Sequence, residues 1–306
     1  MKNINLGATA LNVPTIAVGC MRMNKLENTE AVRFIIAALE LGANFFDHAD
    51  IYAGGACEEI FAKALKSANA PREKVLIQSK CGIRPGKAFD FSKEYILSSV
   101  DGILKRLETE YLDVLLLHRP DALMEPEEVA EAFDTLQKAG KVRHFGVSNQ
   151  NPMQIQLLAR YVKQPIVANQ LQLSIANCGM ISQGLYNNMQ DDFAVQRDGN
   201  VLDFCRLNDI TIQAWSPLQY GFFKGVFLDS PEFPALNKVL SEIADKYSVS
   251  NTCIAIAWLL RHPAKMQVVT GTMNVKRLKD CVKATEVNIT RDEWYAIFIA
   301  AGNILP

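Results

Sequence analysis

Residues 75–118 read VLIQSKCGIRPGKAFDFSKEYILSSVDGILKRLETEYLDVLLLH, and the fold prediction rests on this stretch. Two short apolar runs, Val75–Lys80 and Val114–His118, lie on either side of a segment with the spacing of an amphipathic helix. Ser92 can cap that helix, and its apolar face carries Ile96, Val100, Ile103, Leu104 and Leu107. Runs that are apolar on both faces are typical of buried parallel strands. The stretch is therefore predicted to form a strand, a helix and a second, parallel strand.

The same alternation continues on both sides of this unit. Six further strand-like runs are Thr15–Gly19, Asn44–His48, Val142–Val147, Val167–Gln170, Thr211–Trp215 and Gln267–Thr270. Helices are predicted over 29–41, from Pro126 to Gly140, from the Asn151–Pro152 pair onward, and over 201–208, 235–247 and 275–284. Eight strand–helix units of about 38 residues each favour an α/β fold, a (β/α)8 TIM barrel.

A single domain over residues 1–306 is predicted, because no linker rich in Pro, Gly or Ser divides the chain. Three additions to the barrel are expected: an N-terminal segment (1–14), a helix over 251–261 and an extra C-terminal helix from Arg291. A doubly wound, two-domain enzyme would show similar alternation, and periodicity alone does not exclude it. The long polar stretch 174–200 is expected to be a functional or mobile loop.

Composition narrows the function classes. The chain is 49% hydrophobic and 21% charged, and its 32 basic and 33 acidic residues give a formal net charge of −1. The near-zero charge gives no reason to expect a nucleic acid or a membrane as partner. The seven cysteines include no C-x-x-C pair, and the longest apolar run, Cys253–Leu260, is too short to span a bilayer. Since the N-terminus is also a poor signal peptide, a cytoplasmic enzyme is expected.

Polar residues follow several predicted strands at their C-terminal ends, where TIM-barrel enzymes place their catalytic groups. Lys80 ends a buried strand and needs a carboxylate, because an unpaired buried ammonium is costly. Asp47 is the strand-end acid nearest to it in barrel order, and Tyr52 follows Asp47 by five residues. We expect the ammonium to lower the pKa of Tyr52, which would make the phenol a proton donor near neutral pH. His118 would stand on the other side as a neutral hydrogen-bond donor.

Each of these residues also has a purely structural explanation. Asp47 and Lys80 could form an ion pair in the barrel mouth, His118 could be an interior histidine, and Tyr52 could pack at a pocket edge. Four such side chains at adjacent strand ends are far less easily explained by packing. A shared catalytic site is the prediction.

Five segments, in this order, resemble a known family: FFDHADIYAGGACEE (45–59), LIQSKCG (76–82), YLDVLLLHRPD (111–121), GKVRHFGVSN (140–149) and IQAWSPL (212–218). Together they resemble the aldo-keto reductase superfamily, and its bacterial oxidoreductases most. The resemblance implies a catalytic tetrad of Asp47, Tyr52, Lys80 and His118. In that family the tyrosine donates a proton to a carbonyl oxygen while a nicotinamide delivers hydride to the carbon. A histidine at position 118 favours carbonyl reduction over reduction of a steroid double bond.

The resemblance also implies an NADP(H) cofactor and a small-molecule carbonyl substrate. The side chains that match the carboxamide-binding residues of the family are Ser148, Asn149 and Gln170. Trp215 falls where an aromatic ring stacks on the nicotinamide, although packing at the barrel mouth would also explain it.

The phosphate end of the cofactor site matches the family less closely. Residues 216–224 match the loop over the pyrophosphate but contain less glycine than usual; the residues assigned there are Ser216, Leu218 and Gly221. The adenosine-phosphate segment is matched by Gly271, Thr272 and Arg277. Gly271 replaces a frequent Lys and Cys281 a frequent Asn, so the preference for NADPH is expected to be weaker than in relatives with that Lys.

Two other function classes remain open. A Schiff-base aldolase also uses a lysine on a barrel strand, and Lys80 would then need a free amine. A barrel that binds NADP(H) as a sensor or scaffold, as the potassium-channel accessory subunits related to this family do, would need no turnover. A metal hydrolase is disfavoured, because His48 and His118 lack a third and fourth ligand at suitable spacing.

Overall fold

The computed structural model describes residues 1–190 and 192–306. Eight parallel strands close into a barrel. They are β1 (Ile16–Gly19), β2 (Phe45–Asp47), β3 (Leu76–Cys81), β4 (Leu112–Leu117), β5 (Val142–Ser148), β6 (Ile166–Gln172), β7 (Thr211–Trp215) and β8 (Gln267–Thr270). Each strand pairs with the next along the chain, and β8 pairs with β1 to complete the ring. The predicted (β/α)8 TIM barrel is confirmed, and every predicted strand end lies within two residues of an observed one.

Helices cover the outside of the barrel. They are Asn28–Glu40, Ala56–Ser67, Lys93–Arg106, Pro126–Lys138, Pro152–Ala159, Gly179–Leu185, Val201–Leu207, Pro234–Tyr247, Asn251–Leu260, Val275–Lys283 and Arg291–Ala300. Ser92 and Asn151 cap their helices through side-chain oxygens, as predicted. The helix Ala56–Ser67 was not predicted, because it begins after Gly55 in a left-handed conformation and carries no side-chain cap.

The lower, N-terminal half of the barrel interior is apolar. Side chains alternate along each strand, so one inward-facing cluster contains Phe45, Leu76, Val114 and Ala168. A hairpin formed by Asn3–Asn5 and Asn12–Pro14 closes this end of the barrel, and it buries Leu6 and Val13 against the same cluster. The hairpin lies in the segment 1–14, for which only an addition to the barrel was predicted.

The segment after β6 is more regular than the predicted loop 174–200. It contains the helix Gly179–Leu185, and the following Tyr186 exchanges two 2.8 Å hydrogen bonds with the backbone of Ile304. Asn303 Nδ2 also donates to Cys178 Sγ at 3.5 Å. The C-terminal tail is therefore attached to this segment. A cavity of about 490 Å³ lies between the segment and the end of β6, with Leu171, Gln172, Gln183 and Arg197 among its lining residues.

Two further features bear on the expected environment of the protein. No helix within residues 1–190 and 192–306 combines the length and the apolar character needed to cross a membrane. All seven cysteines are buried and free. The thiols thus contribute to packing and form no disulfide framework.

Candidate active site

An ion pair lies at the C-terminal mouth of the barrel, at the ends of β2 and β3. Lys80 and Asp47 are buried, and Lys80 Nζ donates to Asp47 Oδ2 at 2.8 Å. The same nitrogen donates to the backbone oxygen of His48 at 2.7 Å and to Tyr52 Oη at 3.1 Å. Burial alone would lower the pKa of Lys80, but the Asp47 charge and these hydrogen bonds outweigh it and raise the pKa. The predicted ion pair is present, and its cation contacts the phenol.

Tyr52 reaches this pair from a short 3-10 turn, Tyr52–Gly55, between β2 and the following helix. Ala53 and Gly54 have positive φ angles of 50° and 63°, so the chain turns sharply there. The expectation of a lowered pKa was wrong: the pKa of Tyr52 is raised, because desolvation by burial outweighs the charge and hydrogen bond of Lys80. The phenol therefore keeps its proton at neutral pH, as a proton donor must.

His118 follows β4 and faces the phenol ring. The centroids of the His118 and Tyr52 rings are 6.1 Å apart, and the ring planes meet at 81°. Burial, together with the charges of Lys80 and Arg119, holds the pKa of His118 well below its ordinary value. Its Nδ1 is buried and has no hydrogen-bond partner among the residues that the structure describes. The ring is therefore neutral near pH 7 and can act as a hydrogen-bond donor without carrying charge.

Four buried glutamines lie below the tetrad and form a network that was not predicted. Gln78 Nε2 donates to Asp47 Oδ1 at 2.6 Å, and Gln170 Nε2 donates to the same oxygen at 3.0 Å. Gln213 Oε1 accepts from Gln78 at 2.9 Å and from Gln170 at 3.1 Å. Gln213 Nε2 donates onward to Gln267 Oε1 at 2.8 Å. Asp47 Oδ1 thus receives two neutral donors while Oδ2 receives the ammonium, which fixes the orientation of the carboxylate.

The residues predicted for the nicotinamide end lie together on β5, β6 and β7. Ser148 Oγ donates to the backbone oxygen of Gln170 at 3.0 Å, and Asn149 Nδ2 donates to Ser148 Oγ at 2.7 Å. Trp215 Nε1 donates to Asn149 Oδ1 at 3.2 Å. Asn149 has a φ of 57°, a left-handed conformation that asparagine tolerates better than most residues. An aromatic face, a hydroxyl and the amide of Asn149 therefore lie side by side at adjoining strand ends, whereas the side-chain amide of Gln170 donates to Asp47 and Gln213 in the network below the tetrad.

The segment after β7, which was expected to cover the pyrophosphate with less glycine than usual, forms a tight hairpin. Gln219 forms a β-bridge with Val226, and this closes the segment 216–226. Three residues predicted to contact the cofactor lie along it: Ser216, Leu218 and Gly221. Ser216 begins the turn with a φ of 51°. The backbone next to Trp215 is thus folded back on itself at the place predicted for the pyrophosphate.

Two aromatic side chains occupy the tip of this hairpin. Phe222 and Phe223 are 62% and 54% exposed. Their ring centroids lie 6.2 Å and 6.5 Å from that of Trp215. The indole is therefore bordered by Asn149 on one side and by an exposed aromatic pair on another.

Of the predicted adenosine-phosphate residues, Gly271 and Thr272 lie between β8 and the helix Val275–Lys283. Arg277 is exposed in the first turn of that helix. Arg22, which was not predicted, donates from Nη1 to the backbone oxygen of Gly271 at 3.0 Å. A Cβ atom at position 271 would lie 2.5 Å from that Nη1, so glycine is what allows Arg22 to sit there. The guanidinium of Arg22 thus provides positive charge beside Gly271, the position at which the family resemblance implied a frequent lysine.

These residues fit a nicotinamide dinucleotide. Partly exposed Trp215 offers a stacking surface beside the hydroxyl and amide of Ser148 and Asn149. Arg22 and Arg277 offer positive charge at β8, which is the next strand in the barrel. Within the described ranges, no three His, Cys, Asp or Glu side chains come together in a way that could hold a metal ion.

Comparison with known proteins gives consistent matches over the whole barrel. Residues 15–300 match the model of the aldo/keto reductase family. The oxidoreductase YcsN of Bacillus subtilis is 35% identical over 313 residues, with 98% of both chains covered. The 6-dehydroglucose reductase of Novosphingobium aromaticivorans is 32% identical, and the match covers 98% of this chain and 96% of that one. The crystal structure of the thermostable aldo-keto reductase Tm1743 with the inhibitor epalrestat has a TM-score of 0.78 at 28% identity, covering 98% of this chain and 100% of that one.

The family match and the geometry concern the same part of the molecule. Asp47, Tyr52, Lys80 and His118 all lie inside the matched range and meet at the C-terminal mouth of the barrel. The chain therefore belongs to the aldo/keto reductase family and is an oxidoreductase.

Proposed function

We propose that the protein is an NADP(H)-dependent reductase of aldehydes or ketones, with Tyr52 as the proton donor. The observation that carries this proposal is the hydrogen-bonded chain from Asp47 through Lys80 Nζ to Tyr52 Oη, with distances of 2.8 Å and 3.1 Å. A phenol beside a buried ammonium, with a neutral imidazole facing it, is suited to protonating an oxygen. The same enzyme would oxidise alcohols in the reverse direction.

In this proposal the cofactor, when bound, supplies a hydride to the carbonyl carbon. Tyr52 donates its proton to the carbonyl oxygen, and Lys80 stabilises the phenolate that remains. His118 donates a hydrogen bond to the same oxygen and fixes the direction of the carbonyl group. Asp47 compensates the charge of Lys80, and the buried glutamines hold Asp47 in place.

The cofactor-binding set extends around the mouth of the barrel. Ser148, Asn149 and Gln170 would bind the carboxamide, and Trp215 would stack on the ring. The hairpin containing Ser216, Leu218 and Gly221 would cover the pyrophosphate. Gly271, Thr272 and Arg277, together with Arg22, would bind the adenosine phosphate. A 2′-phosphate favours guanidinium partners, which is why we propose NADP(H) rather than NAD(H).

The partner is a small-molecule carbonyl compound. The relative in Novosphingobium aromaticivorans reduces 6-dehydroglucose, so a hydroxylated aldehyde belongs in any substrate panel. We also propose a cytoplasmic location, supported by seven cysteines that are all free in a chain with no disulfide framework.

The aldolase alternative is disfavoured by the bonding of Lys80. Its three ammonium protons are all donated, to Asp47, to the backbone of His48 and to Tyr52. Its raised pKa further opposes the free amine that a Schiff base needs. A sensor or scaffold that binds NADP(H) without turnover is disfavoured by the completeness of the tetrad.

One assay separates these functions. Purified protein is mixed with NADPH and a panel of aldehydes and ketones, and NADPH absorbance is followed. The proposal expects carbonyl-dependent loss of NADPH. Tight NADPH binding with no turnover on the panel would favour the scaffold, and covalent trapping of a substrate on Lys80 by borohydride would favour the aldolase.

A further inference from the structure

Arg119 follows His118 at the C-terminal end of β4 and is partly buried at the barrel mouth. The central carbon of its guanidinium lies 5.7 Å from the ring centroid of Trp215 and 5.6 Å from that of Phe222. Trp215 is also the ring that donates to Asn149 at the nicotinamide end. Arg119 therefore stands between the catalytic histidine and the aromatic surface, at the entrance to the reacting atoms.

The guanidinium of Arg119 has aromatic contacts but no anionic partner. No carboxylate among the described residues lies within 4.0 Å of it. Two other partly buried arginines of the barrel do have such a partner: Arg72 meets Asp113 at 2.8 Å and Arg106 meets Glu58 at 2.7 Å. Because partial burial of a charge is costly unless it is paired, an unpaired guanidinium in an active site indicates a binding group for an anion.

The surroundings of Arg119 keep its hydrogen-bond donors available. Stacking on aromatic rings stabilises the flat face of a guanidinium, whereas its N–H groups point outward in the plane. The charge of Arg119 also acts on the active site, because it contributes to the lowered pKa of His118. Burial lowers the pKa of Arg119 itself, and Tyr52 opposes that shift. As the residue that follows His118 and a neighbour of Trp215, Arg119 lies close enough to the tetrad to contact the remainder of a small substrate.

We propose that Arg119 binds an oxyanion carried by the carbonyl substrate, either a carboxylate or a phosphate ester, and so determines substrate class. The proposal rests on the carbonyl-reductase function. Planar, bidentate pairing suits both oxyanions, while the aromatic rings of Trp215 and Phe222 would contact the carbon skeleton between the anion and the carbonyl group. A neutral carbonyl of the same shape would leave the guanidinium without its partner.

The test compares matched substrates in wild type, Arg119→Met and Arg119→Lys. One pair is succinic semialdehyde and its neutral methyl ester; the second is glyceraldehyde 3-phosphate and glyceraldehyde. In wild type, kcat/KM should favour the anionic member of at least one pair by about 10- to 100-fold, the effect of a hydrogen-bonded charge pair. The pair that shows the preference identifies the oxyanion. Arg119→Met should reduce that ratio to about unity, and Arg119→Lys should keep part of it.

Arg143→Met is the matched control, because Arg143 also stacks on an aromatic ring, 3.7 Å from the centroid of Tyr111, but lies at the opposite end of the barrel. Its anion-to-neutral ratio should equal that of wild type. The dissociation constants of NADPH and of 4-hydroxybutanoate in the presence of NADP⁺ are measured by fluorescence for every variant. They provide a readout that does not depend on turnover, and thermal melting confirms folding.

Failure of the inference and failure of the proposed function give different results. Reduction of neutral and anionic substrates with equal kcat/KM in wild type would overturn the role of Arg119 and leave the reductase function standing. Loss of NADPH affinity in Arg119→Met with an unchanged substrate ratio would instead show that the guanidinium serves the cofactor. Absence of any carbonyl reduction would contradict the reductase function, and anion binding that Arg119→Met does not weaken would then overturn the inference as well.

Discussion

Lys80 connects the two halves of the tetrad, since its ammonium contacts the carboxylate of Asp47 and the hydroxyl of Tyr52. The lowering effect of Lys80 on the pKa of Tyr52 is opposed by the burial of the phenol. Desolvation raises the pKa of the phenol, and the neighbouring charge recovers only part of that increase. Lys80 therefore makes the phenol a better acid than its buried position alone would allow, while the proton stays in place at neutral pH.

Lys80→Met should strongly lower the rate of carbonyl reduction, because the pKa of Tyr52 would rise further once the ammonium is gone. A weaker acid is rescued by external acid, so the residual rate should increase as the pH is lowered. The measurement is kcat/KM against pH, with a thermal melt beside it because Asp47 loses its buried partner. A stable variant whose pH profile matches wild type would contradict the role of Lys80.

Arg277→Met should weaken NADPH binding about tenfold or more and leave NADH binding nearly unchanged, since only NADPH carries the 2′-phosphate. Arg22→Met tests the guanidinium that bonds to the backbone of Gly271 and should also weaken NADPH binding more than NADH binding. Fluorescence titration with both cofactors measures this. Lys279→Met, on the same helix, is the control for a lost surface charge. Equal weakening of both cofactors by Arg277→Met, or a wild-type preference for NADH, would refute the phosphate assignment.

Among the elements, the eight strands could be predicted most closely, because buried parallel strands are apolar runs that composition and spacing reveal. The tetrad could be predicted for the same reason: each member lies at or just after a strand end. The glutamine network could not, although Gln78 and Gln213 stand two residues before Lys80 and Trp215. Whether these glutamines face the barrel interior, and which groups they bond to, depends on the register in which the eight strands pair. The sequence alone does not reveal that register.

Three other features needed the folded chain. The direction of the Tyr52 pKa depends on how completely the phenol is buried, which the spacing of Asp47, Tyr52 and Lys80 does not reveal. The role of Gly271 depends on Arg22, which is 249 positions away in sequence. The hairpin of the first 14 residues had no strong strand signal, because each of its strands has only three residues.

The helix Gly179–Leu185 and the C-terminal tail act as one element through Tyr186. Tyr186→Phe removes the hydroxyl that bonds to both backbone groups of Ile304, so unfolding should become easier by about 1–2 kcal/mol. Hydrogen exchange should accelerate in residues 179–186 and 301–306 together. Tyr161→Phe, at an exposed tyrosine, is the control. Faster exchange in only one of the two segments would show that they are not coupled in this way.

At the scale of the whole molecule, several buried titratable side chains gather at the C-terminal mouth of the barrel. Near the tetrad, Asp50 and Glu58 lie close to a single arginine, Arg106. Burial raises the pKa of Asp50 to about 7, and Glu58 acts in the same direction, while Arg106 opposes them. Asp50 Oδ1 is buried with no hydrogen-bond partner in the part of the chain that the structure describes. The mouth of the barrel thus contains a carboxyl group that the folded state prefers to keep protonated.

Asp50→Asn should therefore change how stability depends on pH. The folded-state pKa of about 7 lies above the unfolded value of about 3.9, so the stability contributed by this carboxyl is present at low pH and lost as pH rises through about 7. In urea unfolding, the stability of the variant should increase relative to wild type between about pH 4 and pH 7, and the difference should then stay constant. Asp245→Asn controls for loss of one exposed carboxyl. A gap that narrows with rising pH would contradict the sign.

This barrel is proposed to transfer hydride to a carbonyl while Tyr52 supplies the proton. The most direct test uses NADPH with deuterium at the transferable position, a carbonyl compound that the panel has identified, and mass spectrometry of the alcohol product. Wild type should place one deuterium on the former carbonyl carbon. Tyr52→Phe should slow this transfer by at least about 10²–10⁴-fold with NADPH affinity almost unchanged, because only the proton donor is lost. Product without deuterium, or Tyr52→Phe within a few-fold of wild type, would contradict the account.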